Sequence, residues 1–194
     1  MKKDIILAGV GGQGILSIAT VIGSAALEQG LYLKQAEVHG MSQRGGDVQS
    51  HLRLSSEPIF SDLIPKGGAD LIVSLEPMEA LRYVPCLERN GWIITNTAPL
   101  VNIPNYPDIE KVKDELSKYP NVIAFDVDAL AKDLGTPRGA NMVLLGAMAA
   151  ALGILDADKL RDGIRRVFAR KGDSVVESNL KAFDAGLEYS LKQK

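Results

Sequence analysis

The chain opens on a short apolar run, Asp4 to Ala8, breaks on the glycines of Gly9 to Gly14, and then repeats Ile15, Ile18, Ile22 and Ala26 at helical spacing. An apolar run this short predicts a buried strand, and the spacing that follows predicts a helix with one apolar face. Gly30 stands where that helix would close in a left-handed cap, and Leu31 to Glu37 resumes an extended pattern. Together the three segments read as a β-α-β unit. Beyond the polar loop His39 to Gly46, Val48, Ser50, Leu52 and Leu54 alternate with Gln49, His51 and Arg53. That alternation predicts a strand with one wet face, suited to an edge or an antiparallel position. Leu71 to Leu75, Trp92 to Thr95 and Val122 to Phe125 are continuous apolar runs, suited to strands covered on both faces. Pro77 to Tyr83 and Asp108 to Lys118 read as helices, the second with Asp114 and Lys118 spaced for an i,i+4 ion pair.

After Asp128 the pattern is purely helical: Ala129 to Leu134, Ala140 to Leu152, Asp158 to Ala169 and Ser174 to Leu191. Strands alternating with helices and then a helical C-terminal third predict an α/β fold, a three-layer Rossmann-like domain over 1–194 with a mostly parallel, mixed sheet. No repeat, low-complexity segment or linker divides it. The stretch from Ala140 to Leu155 is apolar almost throughout but falls short of the roughly 20 residues needed to span a bilayer, so it reads as a buried helix. Its small residues Gly146, Ala149, Ala150 and Gly153 predict a close approach to another helix, to the sheet or to another subunit.

Composition narrows the function classes. With 194 residues, 46% of them apolar, the chain can bury a core without disulfide or metal staples. Twenty-two Lys and Arg against 24 Asp and Glu supply no global attraction to nucleic acid or to an anionic membrane. The single cysteine, Cys86, excludes a disulfide framework, a Cys-x-x-Cys redox pair and an iron–sulfur cluster ligated by this chain alone. The first apolar run is broken by glycine too early for a signal peptide, which favours a cytoplasmic location.

Gly9-Val10-Gly11-Gly12-Gln13-Gly14 satisfies Gly-x-Gly-x-x-Gly between a strand and a helix, the context in which free N–H groups can face an anion. The acid that a dinucleotide ribose would require about 20 residues on is displaced, because Lys34 stands there and Glu37 is the nearest candidate. A dinucleotide loop and a turn that simply lets helix and sheet pack closely both remain open. Ser42-Gln43-Arg44-Gly45-Gly46 places a cation, hydroxyl and amide groups and two flexible residues in one loop, which suits an anion cradle, a docking surface or a plain polar turn. His39 and His51 flank that loop without a second His or Cys at ligand spacing, so satisfied polar histidines outweigh a metal site. Lys159, Arg161, Arg165, Arg166, Arg170 and Lys171 read first as a solvated helix face and second as a contact for coenzyme A phosphates or an acidic partner. A Gly-x-x-x-x-Gly-Lys-Ser/Thr loop, a Gly-x-Ser-x-Gly elbow and a Gly-Asp-Gly signature are all missing, so no self-sufficient catalytic constellation is present.

Asp4 to Ala26 together with Ala36-Glu37-Val38-His39-Gly40-Met41-Ser42-Gln43-Arg44-Gly45-Gly46 resembles the gamma-type subunits of 2-oxoacid:ferredoxin oxidoreductases. Within that family the second loop is most similar to the beta subunits of indolepyruvate ferredoxin oxidoreductases. Asp70 to Glu76 with Pro77, and Arg138-Gly139-Ala140-Asn141-Met142 leading into the apolar helix, extend the resemblance over most of the chain. It implies an accessory subunit without catalytic or metal residues of its own. The large alpha subunit would carry thiamine diphosphate, Mg and the iron–sulfur clusters, with ferredoxin, an aryl pyruvate and coenzyme A as further partners of the complex. The candidate cofactor-facing residues are Gly9, Gly11, Gly12, Gln13, Gly14, Ser42, Gln43, Arg44, Gly45 and Gly46. An isolated copy is expected to expose a large apolar patch or to form a homodimer. A free-standing NAD(P)-binding oxidoreductase and a nucleotide-binding regulatory module are the alternatives.

Overall fold

Continuous apolar runs need cover on both faces of a sheet, and the computed structural model, which describes residues 1–39 and 45–193, supplies it in three layers. The strands are β1 (Lys2–Val10), β2 (Tyr32–His39), β3 (Asp47–Ser55), β4 (Ala69–Ser74), β5 (Leu87–Asn96) and β6 (Val122–Phe125). They form one sheet in the order β2-β3-β1-β4-β5-β6. The helices are α1 (Ile15–Glu28), α2 (Pro77–Arg82), α3 (Ile109–Leu116), α4 (Val127–Asp133), α5 (Ala140–Leu152), α6 (Ala157–Phe168) and α7 (Asp173–Leu191).

Along β1, Ile5 and Leu7 point into one core with α1, α5, α6 and α7, while Ile6 and Ala8 point into a smaller one with α2 and α3. The sheet is parallel from β1 through β4 and β5 to β6 and antiparallel where β3 meets β1 and β2. The mixed sheet and helical C-terminal third expected from the pattern are present. Two details differ. The β-α-β unit is split, because β3 inserts between β1 and β2. The alternating strand is therefore antiparallel but interior, and the edges are β2 and β6.

The face of β3 read as wet is partly dry as well. Arg53 is 9% exposed and grips the fully buried Asp4 with Nε to Oδ1 at 2.8 Å and Nη2 to Oδ2 at 3.0 Å. Its Nη1 donates to the carbonyls of Ser61 and Leu63, each at 3.0 Å, which pins the connection after β3. Charge therefore failed as a marker of solvent here, since a fully hydrogen-bonded pair can be buried. Just past the end of α3, Lys118 pairs with Glu115 rather than with Asp114, and within the helix Lys113 pairs with Glu110, both at i,i+3.

Helix α1 closes as the pattern predicts. Gly30 takes φ 69°, its N–H donates to Leu27 O, and Leu31 N–H donates to Ala26 O, which satisfies the last carbonyls. Helix α5 is buried nearly all round, as an all-apolar helix must be, between the sheet and α7.

Candidate functional site

Helix α1 leaves β1 on one face of the sheet and α2 leaves β4 on the other, so a crevice opens between the carboxyl ends of β1 and β4. In open α/β sheets such a reversal of connection is where ligands bind. The first glycine loop sits there. Gly14 takes φ 86°, outside the range of ordinary L-residues, and a Cβ on it would lie 2.7 Å from Asn141 Nδ2. Asn141, at the start of α5, donates to Gly14 O at 3.2 Å, so the entrance to the apolar C-terminal helix is tied to the loop.

The loop has turned much of its hydrogen bonding inward. Gln13 Oε1 accepts from Val10 N–H at 2.7 Å, and Gln13 Nε2 donates to Leu75 O at 3.0 Å, which bridges the ends of β1 and β4. Gln13 N–H donates to Val10 O at 3.1 Å, and Gly11 N–H donates to Gly46 O at 2.8 Å. Gly45 N–H returns to Gly11 O at 3.3 Å. Gly11, Gly45 and Gly46, separated in sequence, are thus hydrogen-bonded neighbours. Ser42, Gln43 and Arg44 lie outside the described residues.

Two cavities flank Gly12 and Gly14. One, of about 350 Å³, runs from Val10 and Leu16 across to Val48 and Glu37; the other, of about 440 Å³, is bounded by Leu75, Asp128, Arg138 and Asn141. Glu37, the acid displaced in sequence, therefore reaches the glycine-loop cavity, but from β2. Its register runs through Ser50 on β3 to Leu7 on β1, so it stands two strand spacings away, about 9.5 Å, where a dinucleotide site uses the adjacent strand.

Beyond the lining of the second cavity stand polar residues to which sequence reasoning gave no role. Asn96, 1% exposed at the end of β5, accepts at Oδ1 from Val127 N–H at 3.0 Å and Ala98 N–H at 3.1 Å. Its Nδ2 donates to Asp128 Oδ2 at 2.7 Å. The available signal was an asparagine directly after the run Ile93-Ile94-Thr95, at a strand's carboxyl end. Glu76, also 1% exposed, caps α2 by accepting from Glu79 N–H at 2.8 Å and takes a second hydrogen bond from the Tyr106 hydroxyl. Burial, and then donation to that carboxylate, push the Tyr106 pKa well up, so Tyr106 is a fixed donor. Burial, reinforced by Glu79 and Asp47, raises Tyr83 to about 12. Asn102 Nδ2 donates to Gly45 O at 2.6 Å, which joins the segment after β5 to the second glycine loop.

His51 is a satisfied polar histidine: its Nδ1 accepts from Ile64 N–H at 2.9 Å. In the basic C-terminal segment, Arg161 pairs with Asp158 at 2.6 Å and Asp184 at 2.8 Å, Arg165 pairs with Asp162 at 2.7 Å, and Arg166 pairs with Glu28. These pairs neutralise Arg161, Arg165 and Arg166, as on a solvated helix face. This chain does not fit an iron–sulfur cluster, which requires several thiolates where it has Cys86 alone, and among the described residues no group of three His, Cys, Asp or Glu is placed to hold a metal. Among the described residues no helix is long and apolar enough to cross a membrane.

The family model for pyruvate ferredoxin/flavodoxin oxidoreductases matches residues 4–189. The chain belongs to this family. Within the pyruvate ferredoxin/flavodoxin oxidoreductases it is 38% identical to indolepyruvate oxidoreductase subunit IorB of Pyrococcus horikoshii, over 97% of this chain and 96% of that one. The gamma subunit of a keto/oxoacid ferredoxin oxidoreductase from Geobacter sulfurreducens superposes with a TM-score of 0.70 at 26% identity, covering 98% of this chain and 99% of that one. A 2-oxoglutarate:ferredoxin oxidoreductase from Magnetococcus marinus shares the fold with a TM-score of 0.75 at 23% identity. There the match covers 98% of this chain but 31% of that one, so the fold also occurs as one part of a longer polypeptide.

Proposed function

We propose that this chain is the accessory subunit of a cytoplasmic indolepyruvate-type 2-oxoacid:ferredoxin oxidoreductase. The complex would convert indolepyruvate or another aryl pyruvate, with coenzyme A, to the aryl-acetyl-CoA and CO2, and ferredoxin would take the electrons. The observation that carries this reading is the end-to-end similarity to an indolepyruvate oxidoreductase subunit, with neither chain extending far beyond the other. Thiamine diphosphate with Mg and the iron–sulfur clusters, held by the large partner subunit, would supply the carbanion chemistry and the electron path.

The residues here then act by position. The joined glycine loops at the carboxyl edge of the sheet would face the partner or the coenzyme A entrance, where the sequence adds the cation of Arg44, and would help to keep water from the reacting centre. The inward hydrogen bonds of Gln13 support this, because they hold the loop rigid from behind while Gly12 stays exposed at its tip.

The test is reduction of ferredoxin or a viologen dye with indolepyruvate and coenzyme A, using this chain, the large subunit and their mixture. Activity confined to the mixture is the expected result, and full activity of the large subunit alone refutes the accessory role. In the same assay Arg44→Ala should lower the activity of a saturated complex while shifting stability by no more than about 0.5 kcal/mol.

A further inference from the structure

The two edges of the sheet are built differently. Strand β6 has four residues and follows Pro120, and so is blunted against pairing. Strand β2 has eight residues and no proline, and it pairs with β3 without a register shift from Tyr32 opposite Ser55 to His39 opposite Val48. Its outer side is a regular row of backbone donors and acceptors. Two of the larger exposed apolar side chains of the protein, Tyr32 at 49% and Val38 at 48%, lie on it. They are six residues apart and so share one face of the sheet.

We propose that the outer edge of β2 is a homodimer interface, on which a second copy of this chain adds its own β2 antiparallel about a two-fold axis at Gln35. A two-fold axis perpendicular to the sheet keeps each face on its own side, so residues of one copy must oppose residues of equal parity in the other. An axis at Lys34 would set the two Lys34 side chains opposite each other, and an axis at Ala36 would carry Tyr32 past the end of the facing strand. The axis at Gln35 places Tyr32 opposite Val38 of the second copy, twice by symmetry, with Lys34 opposite Ala36 and Leu33 opposite Glu37. No like charges face each other directly, and Lys34 is neutralised by Asp62 at 2.8 Å. That ion pair also ties the connection carrying Phe60, 94% exposed, and Leu63, 57% exposed, to the same face, which extends the apolar surface beyond the strand.

The pairing bears on the site. Glu37 stands at the rim of the smaller glycine-loop cavity, and Leu33 of the second copy would stand beside it, so each copy would wall the other's cavity.

Sedimentation velocity of the full chain through a dilution series tests the proposal with two double variants altered at the same positions. The wild-type chain should dimerise. Tyr32→Lys with Val38→Lys sets lysine against lysine and should raise the dissociation constant at least tenfold. Tyr32→Lys with Val38→Glu sets lysine against glutamate at the same loss of apolar contact and should restore the dimer. Unfolding midpoints of both variants show that they fold. A wild-type chain that stays monomeric overturns the proposal and leaves the edge to a strand of the large subunit. Two variants of equal size, whether monomers or dimers, overturn the register.

Discussion

Gln13 sits in the middle of a glycine motif and would ordinarily be read as a ligand contact, yet both ends of its amide are committed inside the protein, one to Val10 and one to Leu75. The same holds for Arg53, a charged residue in an alternating strand whose guanidinium is enclosed by Asp4 and two carbonyls. Polarity at a position is visible in a sequence, but the partner that satisfies it lies on another element. His51 shows the consequence for pH. Burial, then the neighbouring Arg53 charge, lower its pKa from 6.5, against a smaller opposing effect of Asp4. The unfolded chain thus takes up this proton at a higher pH than the folded one, so the stability contributed by neutral His51 is complete above about pH 6.5 and is lost as pH falls towards the lower folded value. His51→Asn keeps an acceptor for Ile64 N–H without the titration. Between about pH 7.5 and pH 5.5 the urea midpoint of the wild type should therefore fall further than that of the variant. The difference should be under about 1 kcal/mol, because solvent screens a half-exposed imidazole. Equal slopes would contradict the assignment.

Among the elements, periodicity located each predicted strand and helix but not its neighbours. Val122 to Phe125 is a strand with the expected bounds, and the four C-terminal helices fall within two residues of their predicted ends. The insertion of β3 between β1 and β2 was hidden because alternation reports one solvated face and cannot distinguish an edge from an interior antiparallel strand. A close-packing stripe was legible in Gly146, Ala149, Ala150 and Gly153, and the partner that Gly146 admits is α7. A Cβ at Gly146 would lie 1.9 Å from Phe183 O, and one at Gly186 would lie 1.9 Å from Val143 O. Backbone meets backbone at this crossing, so neither side can yield by a rotamer change. Gly186→Ala should destabilise the protein by about 1–3 kcal/mol, read as a fall of several degrees in Tm. At an exposed helix position the same change would stabilise by up to about 1 kcal/mol, so the sign alone discriminates.

For the molecule as a whole, the free-standing dinucleotide enzyme makes a different prediction from the accessory subunit. A ligand at a hundred times its Kd raises stability by about 2.7 kcal/mol. NADH should leave the Tm of this chain unchanged, because Glu37 is a strand too far from the glycine loop and Gln13 already fills the inside of the turn; a rise in Tm that grows with NADH concentration would restore the dinucleotide reading. The sequence by itself determined the fold class, the glycine turn after the first strand, the presence of a single thiol and the family, since each rests on local spacing, on residue counts or on a contiguous motif. Only the tertiary structure decided the strand order, the joining of Gly11 to Gly45 and Gly46, the gathering of Asp128, Arg138 and Asn141 about one cavity with Asn96 bonded to Asp128, and the exposure of β2 as an edge. Those features depend on which surfaces meet after the chain has crossed from one face of the sheet to the other, and contacts between residues scores of positions apart leave no periodic trace in either partner.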